Sequence, residues 1–175
     1  MLLNKKQVMD FLPHRAPFLF IDSVKEVDLS KCANPEDVKG PKDLVGAKVT
    51  AFFEIKDDME ILKGHFPGNP ILPGVVQIEM MAQASAFLSV PLVGTDVSEY
   101  NVETLLLAVD KSKFRKPLLP GMKLEIQTTL AKVRGQVANY EGLIFCEGAK
   151  ISEAVIMARL DISKKENSKK ENSKK

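Results

Sequence analysis

Residues 64–83 read Gly64-His65-Phe66-Pro67-Gly68-Asn69-Pro70-Ile71-Leu72-Pro73-Gly74-Val75-Val76-Gln77-Ile78-Glu79-Met80-Met81-Ala82-Gln83, and the change of character within them decides the fold. From Gly64 to Gly74 there are three glycines and three prolines, which forbid regular structure yet make a rigid, shaped loop. From Val75 to about Leu88 the chain is apolar almost all round, with only Gln77, Glu79, Gln83 and Ser85 polar. That is the pattern of a helix buried inside a fold, with Pro73 placed well as its first residue. A helix of this kind has no ordinary reason to carry a carboxylate, because an unpaired charge there is costly to desolvate. Glu79 is therefore a candidate functional residue on composition alone.

Working outward, the segments on either side read as strands. Phe18-Leu19-Phe20-Ile21, followed by alternating Val24 and Val27, suits a first strand, and 49–55 a second. Downstream, 104–109, 123–133, 137–146 and 149–160 are rich in β-branched or alternating apolar residues and are separated by Pro120-Gly121, Gly135 and Gly148. They read as consecutive antiparallel strands. Asn4 is an N-cap candidate for a short helix over 5–11 that Pro13 stops, and 28–44 turns polar, with Pro35, Gly40 and Pro41, as a long surface insertion would. The expected class is α+β, an antiparallel sheet wrapped around one long central helix.

The 175 residues suit one domain, expected over 1–162, followed by the tail 163–175, SKKENSKKENSKK. The tail has no apolar residue and cannot offset its ordering entropy, so it is expected to be disordered. Its six lysines and two glutamates carry +4, and removing +4 from the formal +2 of the whole chain leaves −2 for the folded part. A mildly acidic domain gives no footing for nucleic-acid binding. Uninterrupted apolar runs such as 105–109 and 154–158 are far shorter than the roughly 18–20 residues of a membrane span, and the first residues lack the apolar core of a secretory signal. A cytoplasmic protein with no membrane contact is expected. Cys32 and Cys146 have no CxxC neighbours and read as plain thiols, and His14 and His65 are the only histidines. HExxH, phosphate-loop, dinucleotide and G-x-S-x-G patterns are absent, so no metal or other cofactor is expected.

The stretch 64–83 resembles the signature of FabZ-type (3R)-hydroxyacyl-acyl carrier protein dehydratases. Leu12-Pro13-His14-Arg15-Ala16-Pro17-Phe18-Leu19 is similar to the family's opening motif, and Lys113-Phe114-Arg115-Lys116-Pro117 with Pro120-Gly121 to its later one. The resemblance covers roughly residues 5–162. It implies a hotdog fold and a homodimer, or a trimer of dimers, in which each site takes its histidine and its acidic residue from different subunits. Carried over by position, these are His65 and Glu79. Glutamate rather than aspartate at 79 favours this branch over the related FabA branch.

Dehydration of a 3-hydroxyacyl thioester needs a base for the C2 proton, an acid for the departing hydroxyl, and stabilisation of the enolate. Histidine is the natural base near neutral pH, so His65 takes that role. Burial is expected to raise the Glu79 carboxyl pKa, letting it act as the acid or orient the hydroxyl. Amides of Gly74 and Val75 at the helix N-terminus are placed to meet the thioester oxygen. Phe66, Met80 and Gln83 complete the expected substrate contacts, Met80 standing where the family usually has alanine. His14 and Arg15 are expected to be structural. Lys111, Lys113, Arg115 and Lys116 form a basic cluster suited to docking an acidic acyl carrier protein. The rival expectations are a noncatalytic acyl-thioester-binding hotdog protein and a hotdog acyl thioesterase.

Overall fold

The structure, a computed structural model, describes residues 1–94 and 96–165. Six strands, β1 (Ser23–Asp28), β2 (Lys48–Glu54), β3 (Tyr100–Phe114), β4 (Lys123–Arg134), β5 (Val137–Cys146) and β6 (Ala149–Lys164), form one antiparallel sheet in the order β1-β2-β4-β5-β6-β3. Two short helices, α1 (Lys5–Phe11) and α2 (Glu60–Gly64), precede the central α3 (Gly74–Ala86), which continues through a 3-10 turn into α4 (Val90–Val93). The sheet curls around this central helix, as the hotdog reading implies.

Even-numbered residues of β4, β5 and β6 alternate inward, among them Ile126, Ile144 and Ile156, each fully buried against the helix. Every helical residue from Met80 to Val90 is buried. The span Gly74–Val93 has the length and hydropathy of a membrane helix, but 72% of its apolar window is buried inside the domain, so it is a core helix. Its close approach to the sheet depends on Gly142 in β5: a Cβ there would lie 2.6 Å from Met81 Sδ and 2.9 Å from Met81 Cβ.

The α1 helix forms where expected, with Asn4 and Gln7 completing a reciprocal capping box. The expected first strand forms only in its later part, around Val24 and Val27; residues 18–21 stay outside it and regular pairing begins at Ser23. Residues Leu19, Phe20 and Ile21 are buried all the same, and the backbone is satisfied by a side chain instead of a strand: Phe20 N–H donates to Gln83 Oε1 (2.9 Å), and Gln83 Nε2 donates to the Phe18 carbonyl (2.8 Å). Pro73 is the N-cap rather than the first helical residue. The insertion 28–44 folds back onto the body. Gly46, at φ +95°, sits so close to the Lys31 carbonyl that no side chain would fit, and Leu44 is buried in the core. β6 runs on through Ser163 and Lys164, where the expected tail begins, while 166–175 lie outside the described residues.

Candidate active site

The loop between α2 and α3 delivers His65. Its Nδ1 lies 2.8 Å from the Ile71 carbonyl oxygen, and its ring stacks on Phe66 with centroids 4.1 Å apart. A carbonyl only accepts, so in the neutral ring the proton sits on Nδ1 and the lone pair on Nε2, the tautomer a general base needs. His65 lines a cavity of about 380 Å³ together with Gly74, Gln77, Phe114, Arg115 and Lys116. The Phe114 ring packs on Gly74 so closely that a Cβ there would meet Cζ at 3.0 Å. The N–H groups of Val76 and Gln77 turn back to Pro73, which leaves those of Gly74 and Val75 without an intrahelical acceptor at the positive end of the helix.

Fourteen residues after His65, about one and a half turns into α3, Glu79 stands in a different space. It lines a smaller cavity of about 80 Å³ with Leu12, His14, Ala82, Gln83, Thr104 and Leu106, none of which borders the His65 cavity. Gln83 Nε2 donates to Glu79 Oε1 at 2.8 Å, and His14 Nε2 lies 3.4 Å from the same oxygen. Desolvation is the largest influence on this carboxyl and pushes its pKa up, but the hydrogen bonds from His14 and Gln83, with the charge on His14, outweigh it. The net shift is downward from 4.5, opposite to the expected one. An apolar helix was a sound reason to expect an upward shift, and the contacts that reverse it come from Gln83, one turn on along the helix, and from His14 in a distant segment.

The remaining expected site residues divide. Gly74 borders the His65 cavity, Phe66 stacks on the histidine, and Gln83 holds Glu79. Val75 is 73% exposed and Met80 is fully buried in the core, and neither lines either cavity. In the basic cluster, Arg115 is paired with Glu153, which also holds Lys150 at 2.7 Å; these two cations draw the Glu153 carboxyl down to about 2. Lys111, Lys113 and Lys116 are exposed and form no ion pair among the described residues. Two further residues belong to the site. His14, expected to be structural, touches Glu79 directly. Gln77 is buried beside His65 with its Oε1 lacking a partner among the described residues. Its polarity on an apolar helix, half a turn from Glu79, was the available signal.

A family model described as ApeI-like, ApeI dehydratase, matches residues 42–151. The 3-hydroxyacyl-[acyl-carrier-protein] dehydratase FabZ of Myxococcus xanthus is 34% identical over 152 residues, 87% of this chain and 88% of its own. That of Enterococcus faecalis is 36% identical over 157 residues, 88% and 95% of the two chains. Among solved structures, the dehydratase heterocomplex ApeI:P from Xenorhabdus doucetiae superposes with a TM-score of 0.63 at 22% identity, covering 88% of this chain and 90% of that one. A thioesterase superfamily member from Thermus thermophilus shares the fold at a TM-score of 0.53 and 15% identity, covering 67% and 82%.

Proposed function

Because this chain belongs to the FabZ-type family of 3-hydroxyacyl-[acyl-carrier-protein] dehydratases, we propose that it removes water from a (3R)-hydroxyacyl group on acyl carrier protein to give the trans-2-enoyl thioester, in the cytoplasm, as a step of fatty acid elongation. The observation that carries this reading is the 2.8 Å contact of His65 Nδ1 with the Ile71 carbonyl, in a cavity that Gly74 at the start of the central helix also lines. In this reading Nε2 takes the C2 proton, and the amides of Gly74 and Val75 meet the thioester oxygen as charge develops on it. Glu79 holds the 3-hydroxyl and supplies the proton with which it leaves as water.

Glu79 and His65 border separate cavities of one chain, which supports a site completed by a second copy. The free edge of β3 supports the same view. It has a strand neighbour only in β6 among the described residues, and Leu105 and Leu107 are 60% and 50% exposed along it. Pairing there in a dimer would bury Glu79 further. Desolvation is the influence that raises its pKa, and in this chain alone the hydrogen bonds from His14 and Gln83 outweigh it. Lys111, Lys113 and Lys116, near the His65 cavity, suit the acidic carrier protein.

The test is hydration of a crotonyl carrier thioester, followed by loss of enoyl absorbance. His65→Ala and Glu79→Gln should each lower the rate by about 10²–10⁴-fold. A His65→Ala protein at full rate overturns the proposal, and release of free thiol in place of hydration makes the chain a thioesterase.

A further inference from the structure

A third cavity, of about 350 Å³, lies at the far end of the central helix. Leu88 and Val93 enter it from the helix, Leu160 and Ile162 from β6, and the insertion supplies Pro41 and Leu44. Its volume falls at the lower end of the range for small-molecule pockets, about 300–1,000 Å³. The lining is hydrocarbon for the most part. Asp161 sits at its edge with its carboxylate 3.4 Å from Arg159, and Tyr140 is held neutral because burial pushes its hydroxyl up to about 12. Nothing in the catalytic arrangement uses this space.

The strand register ties it to Glu79. Even-numbered residues of β3 face the helix in the order Leu106, Thr104, Val102, Tyr100. Leu106 and Thr104 border the Glu79 cavity, Tyr100 borders the distal one, and Val102 between them is 3% exposed. Across the ladder, Thr104 pairs with Leu160 and Val102 with Ile162, both lining the distal cavity. On the helix, Ala82 and Gln83 border the first space and Leu88 the second, with the small, buried Ala86 between them. One strand side chain and about one helical turn therefore separate the two.

We infer that the distal cavity is a terminal compartment for the acyl chain, roofed by the 28–44 insertion, and that Val102 is the wall deciding which chains enter it. This inference rests on the dehydratase reading and gives the insertion a role in chain-length selection. An acyl thioester held by its hydroxyl at Glu79 runs its tail along the helix face, and the first apolar space on that line lies behind Val102.

Hydration of four-carbon and twelve-carbon enoyl carrier thioesters tests it in wild type, Val102→Ala and Ala138→Phe, since Ala138 lines the compartment. Opening the wall should raise the twelve-to-four ratio of kcat/KM by about tenfold, and filling the compartment should lower it by about tenfold. If Ala138→Phe does not fold, Leu92→Trp at the cavity rim replaces it and adds a readout, because the chain has no native tryptophan. Its emission should shift when a dodecanoyl thioester is added and stay fixed with a butyryl one. An unchanged ratio in Val102→Ala with unchanged emission overturns the inference. Emission that responds while the wild type hydrates neither substrate sinks the dehydratase reading and leaves the compartment standing as an acyl site.

Discussion

Replacing Gly142 by alanine should damage activity out of proportion to stability. The new Cβ would lie 2.6 Å from Met81 Sδ and 2.9 Å from Met81 Cβ and Cγ. Ordinary carbon contacts are about 3.5–4.0 Å, so something must give by roughly 1 Å. Sδ and Cγ can turn aside, but Cβ is fixed to the helix backbone, so the helix must lift from β5 or the strand must bow. Overpacking of this kind costs about 1–3 kcal/mol. For a domain of this size each kcal/mol lowers Tm by about 2–4 °C, giving a fall of about 2–12 °C in a thermal melt followed by circular dichroism. Glu79 is two residues from Met81 on the same helix, and a displacement of about 1 Å at a catalytic group costs about 100-fold in rate. Enoyl-thioester hydration well below the melt should show that loss. Met81→Ala in the same chain removes Sδ and Cγ but keeps Cβ, so it should relieve the strain only in part. An alanine variant with unchanged Tm and unchanged rate would refute the claim that this glycine seats the helix.

Two further predictions follow from the Glu79 surroundings and the β3 edge. Because the Glu79 pKa is lowered, the stabilisation it reports is present above 4.5, the ordinary value, and is lost as pH falls through the folded pKa. In the hydration direction Glu79 must be ionised to take a proton from water, and His14→Ala removes a hydrogen bond and a charge from that carboxyl, so the acid limb of the hydration kcat/KM profile should move to higher pH; a limb that stays in place removes His14 from the site. Leu107→Lys on the free edge of β3 should convert a dimer into monomers by light scattering and abolish hydration with the fold intact by circular dichroism; an active monomer would end the shared-site reading.

The central helix was legible because a continuous apolar run after a glycine- and proline-rich loop has few other uses, and β5 because Gly135 and Gly148 bracket an apolar-rich run. Residues 18–21 misled because β-branched and aromatic side chains mark burial as readily as pairing, and here Gln83 supplies the backbone partners that a neighbouring strand would have given. The polar end of β3, through Lys111, Ser112 and Lys113, escaped notice because every residue from Leu105 to Phe114 is exposed, so no alternation of buried and exposed positions marks it. Histidine 65 and Glu79 were visible through their motif. The contact of His14 with Glu79 was not, since no local pattern connects an N-terminal loop to the middle of a helix. The same contact reversed the expected direction of the Glu79 shift.

The fixed amide of Gln83 makes the two oxygens of Glu79 inequivalent. Its Oε1 must accept from Phe20, so its Nε2 can only donate, and both amide hydrogens are committed to Phe18 and to Glu79 Oε1. His14 approaches the same oxygen. A proton on this carboxyl therefore belongs on Oε2, and Oε2 alone remains to meet a hydroxyl. In the proposed dehydration a substrate would present that hydroxyl from one side of the helix, which would turn a single glutamine into a selector of handedness at the carbon that loses water.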